Sequence, residues 1–96
     1  MTYEWDPAKA EANARKHHVS FEEAASVFLD HGALTFLDPD HSEQEDRLLT
    51  IGRSARRRVL LVSHTEREDR IRIVSARRAT RREREQYEEG LDETTE

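Results

Sequence analysis

Between Arg70 and Ser75 the chain alternates, with Arg70, Arg72 and Val74 on one side and Ile71, Ile73 and Ser75 on the other. Period two with β-branched residues predicts a strand. Three earlier runs have the same character: Ala33–Asp38 (ALTFLD), Arg47–Gly52 (RLLTIG) and Arg58–His64 (RVLLVSH). The last three strands are separated only by the polar turns Arg53–Arg57 and Glu66–Asp69, so the four are expected to pair as an antiparallel meander. Val59–Val62 is apolar without a break, which puts that strand in the middle with both faces covered. Met1–Trp5, where Tyr3 and Trp5 alternate with Thr2 and Glu4, reads as a small strand or an extended arm.

Elsewhere the period is helical. Asp6-Pro7 combines an N-cap with proline at the first helical position, predicting a helix to about His17. Its Lys9, Asn13 and Lys16 recur at i, i+4, i+7, as on a solvated face. Ser20-Phe21-Glu22-Glu23 is a capping box, with Val19 and Ala24 placed as a hydrophobic staple. Phe21, Ala24, Ala25, Phe28 and Leu29 continue it as an amphipathic helix ending at His31-Gly32. Thr80 and Glu83 form a second capping box, opening a very polar helix that is expected to stop at Gly90. Only Ala79, Tyr87 and Leu91 give it an apolar stripe, and Glu83 lies on the same stripe. Phe21, Phe28, Val59, Leu61, Ile71 and Ile73 are expected to share one core. Residues 1–90 then form a single α+β domain, with two N-terminal helices and a C-terminal helix on a four-stranded, mainly antiparallel meander. Residues 91–96 form an acidic, frayed tail.

Leu, Ile, Val and Phe together number nineteen of 96 residues, so the core is small and a partner would add stability. There is no cysteine, and no apolar run long enough for a membrane span. No signal peptide is visible, so a cytoplasmic location is expected. The net charge of −5 hides segregation. Residues 1–46 carry three basic and eleven acidic groups, residues 47–84 thirteen and four, and residues 85–96 none and six. All thirteen central cations are Arg, which suits bidentate contact with phosphate. Arg77, Arg78, Arg81, Arg82 and Arg84 crowd the last strand-to-helix junction, where a helix N-terminus already favours anions. Either phosphates bind there or an acidic partner covers it. The plainer alternative is a solvated face of arginines paired with the flanking acids.

The five histidines and the acidic loop Asp38–Asp46 offer no ligand spacing that matches a metal-binding motif, although Asp38, Asp40, His41 and Glu43 could gather a cation. No nucleophile elbow or phosphate-cradling glycine loop is present. What remains is Arg with His, Glu and Tyr. Those are the types that cut RNA without metal, where the 2′-hydroxyl attacks the adjacent phosphate and a base, an acid and cations are needed. His64, Glu66, Arg77, Glu83 and Tyr87 are the candidates. His64 read alone is a hydrogen-bonded strand-end residue, and Tyr87 read alone is the anchor of the last helix.

Three segments, Trp5–Phe28 (WDPAKAEANARKHHVSFEEAASVF), Asp38–Gly52 (DPDHSEQEDRLLTIG) and His64–Glu88 (HTEREDRIRIVSARRATRREREQYE), resemble the BrnT toxins of bacterial type II toxin–antitoxin pairs. Family-typical positions include Trp5, Asp6, Pro7, Lys9, Asn13, Lys16, His17, Phe21, His64, Arg72, Ser75, Ala76, Arg77, Glu83 and Tyr87. The resemblance implies a RelE-like fold and a metal-independent endoribonuclease, without cofactor, that leaves a 2′,3′-cyclic phosphate and arrests translation. It makes Arg77 and Tyr87 plausible parts of the site, beside RNA-binding Lys9, Lys16, Arg53, Arg70, Arg72, Arg78 and Arg81. It also implies a BrnA-type ribbon-helix-helix antitoxin in a 2:2 complex, through which alone operator DNA is bound. The alternative is a basic nucleic-acid-binding module without catalysis. One departure stands out: His18 occupies a position where the family usually has glycine, as if in a left-handed helix end.

Overall fold

The computed structural model describes residues 1–41 and 46–94; Glu43, the rest of the 42–45 segment and the last two residues lie outside it. Its frame is a five-stranded mixed sheet. The strands are β1 (Thr2–Glu4), β2 (Leu34–Leu37), β3 (Arg47–Arg53), β4 (Val59–Arg67) and β5 (Arg70–Arg78), in the order β1-β5-β4-β3-β2. The helices are α1 (Pro7–His17), α2 (Phe21–Ser26) and α3 (Arg81–Thr94). The meander β2 to β5 is antiparallel as expected. A purely four-stranded sheet is not what forms, because β1 adds a parallel edge strand, Thr2 to Glu4 against Arg70 to Arg72. Tyr3 and Trp5 hold it there, stacking on Phe28 and meeting Phe21 edge-on.

β4 is central, and strict alternation sends its apolar residues to both faces. Leu60 and Val62 join Val19, Phe21, Ala24, Val27, Ile71, Ile73 and Ala76 under α1 and α2. Leu61 and Val59 turn the other way and pack with Ile51, Tyr87 and Leu91 beneath α3. The single core expected from the sequence is therefore two clusters divided by the sheet, with Val59 and Leu61 not in contact with the Phe21 cluster.

All three N-caps form, but of the two capping boxes only that of Thr80 closes on both sides, because the Glu23 carboxylate turns from Ser20 to Ser54 and Arg58. Asp6 Oδ1 accepts from the Ala8 amide at 2.9 Å, Ser20 Oγ from the Glu23 amide at 3.0 Å and Thr80 Oγ1 from the Glu83 amide at 3.2 Å. His18 is left-handed at φ 59°, closing α1 through its amide to the Ala14 carbonyl. Two helix ends differ from expectation. α2 stops at Ser26, and Val27–Leu29 tightens into a 3₁₀ turn that buries Val27 and leaves Leu29 75% exposed. Ser26 Oγ donates to the Glu23 carbonyl and accepts from the Ala55 amide, bonds that pull the last turn in. α3 does not stop at Gly90 but runs to Thr94. A Cβ at residue 90 would meet the Leu34 side chain at 3.2 Å, so this glycine permits a close approach instead of ending the helix.

One irregularity decides what the last strand presents. Ser63 pairs with Ser75 but His64 with Ile73, so Val74 is an extra residue, a β-bulge. Uninterrupted alternation from Ile71 would aim Arg77 beneath the helices. The bulge resets the phase: Ile73 and Ala76 both face the helices, and Arg77 joins Arg70 and Arg72 on the opposite face.

Candidate functional site

Cross-strand partners share a face of the sheet. Opposite α1 and α2, the registers align Thr2 with Arg70 and Arg67, and Glu4 with Arg72, Thr65 and Arg47. Next come Ser75, Ser63 and Leu49, then Arg77, Leu61 and Ile51, where α3 begins to cover the sheet. Arg47, Arg67, Arg70, Arg72 and Arg77 thus lie on one largely open surface. Two shallow clefts occupy it. One of about 500 Å³ lies among Glu4, Thr65, Arg67, Arg70 and Arg72. The other, of about 470 Å³, lies among His17, Asp38, His41, Arg47, Ser63, Ser75 and Arg77.

Arg77 is half-buried and held end-on: its two Nη atoms donate to Glu83 Oε1 and Oε2, each at 2.9 Å. Nη1 also donates to the Arg78 carbonyl at 3.1 Å. Guanidinium has five N–H groups, so among the described residues the edge formed by Nε and the outer side of Nη2 is left for a further acceptor. Glu83 is fixed in turn by the Thr80 amide, which donates to Oε1 at 2.8 Å. The bonds from Arg77 hold the Glu83 carboxyl below its usual range, against the upward push of burial and with help from Thr80. The bulge, the cap and the strand-to-helix turn therefore converge on the aim of one guanidinium.

Across the same cleft, Asp38 follows β2, its amide donating to the Arg47 carbonyl at 2.9 Å. Asp38 is buried. Oδ1 accepts from the Asp40 amide at 2.9 Å, and Oδ2 meets His41 Nδ1 at 2.8 Å. Burial pushes the Asp38 carboxyl up, but the Asp40 amide, His41 and Arg47 outweigh it and hold it low. The third wall comes from α1. Asn13, buried, donates to the Val19 and Ala76 carbonyls at 3.0 and 2.8 Å and accepts from the Ala76 amide at 3.1 Å. It thus pairs with the edge of β5 as a neighbouring strand would, and it is not on a solvated face with Lys9 and Lys16. His17, one helical turn on, is carried to the rim of the cleft.

The five candidate catalytic residues do not meet. Arg77 and Glu83 do. His64 lies on the helix face, fully buried, with Nε2 on Thr50 Oγ1 at 2.7 Å and the ring edge-on to Phe28. Burial lowers its pKa to about 4. Tyr87 is 2% exposed and donates to Asp30 Oδ2 at 2.6 Å; burial and that carboxylate push its phenol up to about 12. Glu66 is exposed and belongs to the other cleft. Among the RNA-binding candidates, Arg70 and Arg72 lie on the open face beside Glu4, Arg72 at 3.0 Å from it. Arg53 ends β3 with its amide on Asp30, Arg78 faces the helix side, and Arg81 pairs with Glu85. Lys9 and Lys16 are exposed on α1. Missed in the sequence were Asp38 with His41 as a pair, and His17. A histidine three residues after a turn-opening aspartate, and the i, i+4 spacing from Asn13, were the available signals. Among the described residues no three such side chains are gathered for a cation.

The chain is thus a small α+β domain whose half-covered sheet presents arginines around a strand-to-helix clamp. Residues 5–83 match the family described as the ribonuclease toxin BrnT of type II toxin–antitoxin systems, and the chain belongs to that family. The fold is similar to the crystal structure of the Brucella abortus ribonuclease toxin BrnT, with a TM-score of 0.65 and 21% identity over 84% of this chain and 100% of that one. No curated protein matches. Among the described residues no helix is long and apolar enough to cross a membrane.

Proposed function

We propose that this toxin cuts single-stranded RNA on the open sheet face, without a metal ion, leaving a 2′,3′-cyclic phosphate. The observation that carries the reading is the five-arginine face with Arg77 clamped by Glu83 and a donor edge still free. Charge that builds on phosphoryl oxygens is stabilised by donors held in place beforehand. A guanidinium fixed at two points loses little freedom when it takes a phosphate. The catalytic roles fall on Arg77 as the phosphate clamp and on Glu83 as the group that orients it. Arg70 and Arg72 steer the backbone by charge. Neutralisation follows from the same geometry. A BrnA-type antitoxin, dimeric through its ribbon-helix-helix part and joined to two toxins, covers this face with carboxylates and so blocks phosphate access.

The test is purified protein and RNA in EDTA with end-group analysis of the products. Cleavage is expected, with Arg77→Ala losing far more activity than Arg56→Ala, which removes an exposed turn residue. Cleavage that disappears in EDTA and returns with a divalent ion would sink the metal-free reading. Intact RNA under every condition, with tight binding, would instead favour the non-catalytic module.

A further inference from the structure

The clamp accounts for the phosphate but not for the proton transfers that RNA cleavage requires. We infer that His41, oriented by Asp38, is the general base of this cleft and that His17 is its general acid; this rests on the ribonuclease reading above.

The cleft has the required chemistry on three sides. Arg77 and Arg47 line it from β5 and β3, and His41 and His17 line it from the β2 turn and from α1. Asp38 is buried, receives the Asp40 amide on one oxygen, and keeps its charge. An ionised carboxylate oxygen can only accept, so the 2.8 Å contact requires a proton on His41 Nδ1. The neutral ring then carries its lone pair on Nε2. A carboxylate that fixes a histidine tautomer in this way is a common means of aiming a base. His41 is not closed off, its side chain being 46% exposed beside an aspartate that is 8% exposed. Among the described residues His17 has no such partner, but its place is no accident of a loose helix end. Asn13 ties α1 to both backbone groups of Ala76, the residue before Arg77, and His17 is one turn beyond on that helix face.

The step balances with RNA alone. His41 Nε2 takes the 2′-hydroxyl proton while the 2′-oxygen bonds to the adjacent phosphorus. The bond from phosphorus to the 5′-oxygen breaks, and protonated His17 gives that oxygen its proton. Arg77 and Arg47 face the charge that builds on the phosphoryl oxygens. The products are a 2′,3′-cyclic phosphate and a 5′-hydroxyl, with one proton taken and one given. His41 and His17 are thus catalytic residues, and Asp38 is a positioning residue.

The experiment compares the intact toxin with His41→Gln, His17→Gln, Asp38→Asn and, as a control outside the cleft, His31→Gln. Single-turnover cleavage of a short single-stranded RNA is measured in EDTA across pH, and binding is measured with the same RNA bearing a 2′-deoxy sugar at the cut site. His41→Gln and His17→Gln are expected to lose about 10²–10⁴-fold in rate, with binding of the deoxy RNA unchanged. Asp38→Asn keeps its shape but not its charge; it should lose less and displace the limb of the pH–rate profile that reports His41. Imidazole added to a folded His41→Ala variant should restore part of its rate. Full rate in His41→Gln, or a folded His41→Ala that imidazole does not restore, overturns the assignment and leaves the ribonuclease reading standing. An intact toxin that cuts no RNA overturns both.

Discussion

His64 shows how one residue type can be right and its place wrong for chemistry. The sequence reads it as the end of the central strand, but β4 continues to Arg67 and pleating turns His64 to the helix face, where it closes a chain of hydroxyls. Thr35 Oγ1 and Thr50 Oγ1 are 2.8 Å apart, and Thr50 meets His64 Nε2 at 2.7 Å. Nδ1 is buried with no partner among the described residues, so protonating this ring would bury an uncompensated charge. The folded imidazole titrates at about 4, against about 6.5 when the chain is unfolded. Between those values the unfolded chain binds a proton that the fold refuses, so stability falls as pH drops from about 6.5 toward 4, by roughly 3 kcal/mol. Glu23 and Glu83, held low chiefly by Arg58 and Arg77, act at more acid pH, because their contributions are lost only as pH falls through their depressed values. Urea unfolding of His64→Gln between pH 6.5 and 4.5 should therefore have a much flatter pH dependence than the parent. An undiminished slope would assign the acid sensitivity elsewhere.

At the scale of elements, α1 and α3 are each held by one polar side chain more than by apolar area. α1 leans on Asn13, and its removal leaves the Ala76 amide and carbonyl without partners in a buried place. Asn13→Ala should cost about 2–4 kcal/mol in chemical denaturation. α3 leans on Tyr87, whose hydroxyl donates to Asp30, the carboxylate that also accepts from the Arg53 and Gly32 amides. Tyr87→Phe should cost about 1–2 kcal/mol and speed amide exchange in α3 while leaving α1 unchanged. It should keep far more RNA cleavage than Arg77→Ala; equal losses would put the phenol back in the chemistry. What the sequence revealed and hid follows the same line. Asp6-Pro7, the Ser20 cap, the Thr80 box and the left-handed His18 are local, and each was legible because its cause lies within four residues. The antiparallel pairings of β3 with β4 and of β4 with β5 were legible because short turns leave little choice. The parallel β1, the bulge at Val74 and the clasp of Asn13 on Ala76 were not. Each depends on a partner far along the chain: 68 residues for Thr2 with Arg70 and 63 for Asn13 with Ala76. For the site, that meant the arginines and the Glu83 box were readable, whereas the cleft that gathers Asp38, His41 and His17 exists only once the sheet has closed.

For the molecule as a whole, the charge segregation of the sequence becomes a difference between sheet faces. Arg58 is withdrawn from the field, tied by Nε to Glu23 at 2.9 Å and by Nη2 to the His18 carbonyl at 2.9 Å beside α2. Arg70 and Arg72 remain outside, their side chains more than half exposed and paired with the half-buried Glu4, in a cleft that Asp46 and Glu66 also line, and water and salt weaken such pairs. A phosphate can therefore displace Glu4 at little cost, whereas the Arg77–Glu83 clamp, buried more deeply and capped by Thr80, should persist in the complex. Backbone attraction and chemistry are then carried by the two different clefts of one face. Each phosphate neutralised on single-stranded RNA steepens the fall of log K with log salt by about 0.7. Replacing Arg70 and Arg72 together by Gln should flatten the salt slope by about 1.4 and weaken binding at low salt. The cleavage rate at saturating RNA should barely change. Arg77→Gln should do the reverse, lowering the saturated rate steeply for a slope change of at most about 0.7. Fluorescence anisotropy from low to moderate salt, paired with single-turnover cleavage, separates the two. If the Arg70, Arg72 pair and Arg77 lower rate and slope in the same proportion, the face acts as one undivided field of charge, and the division of labour between its clefts is wrong.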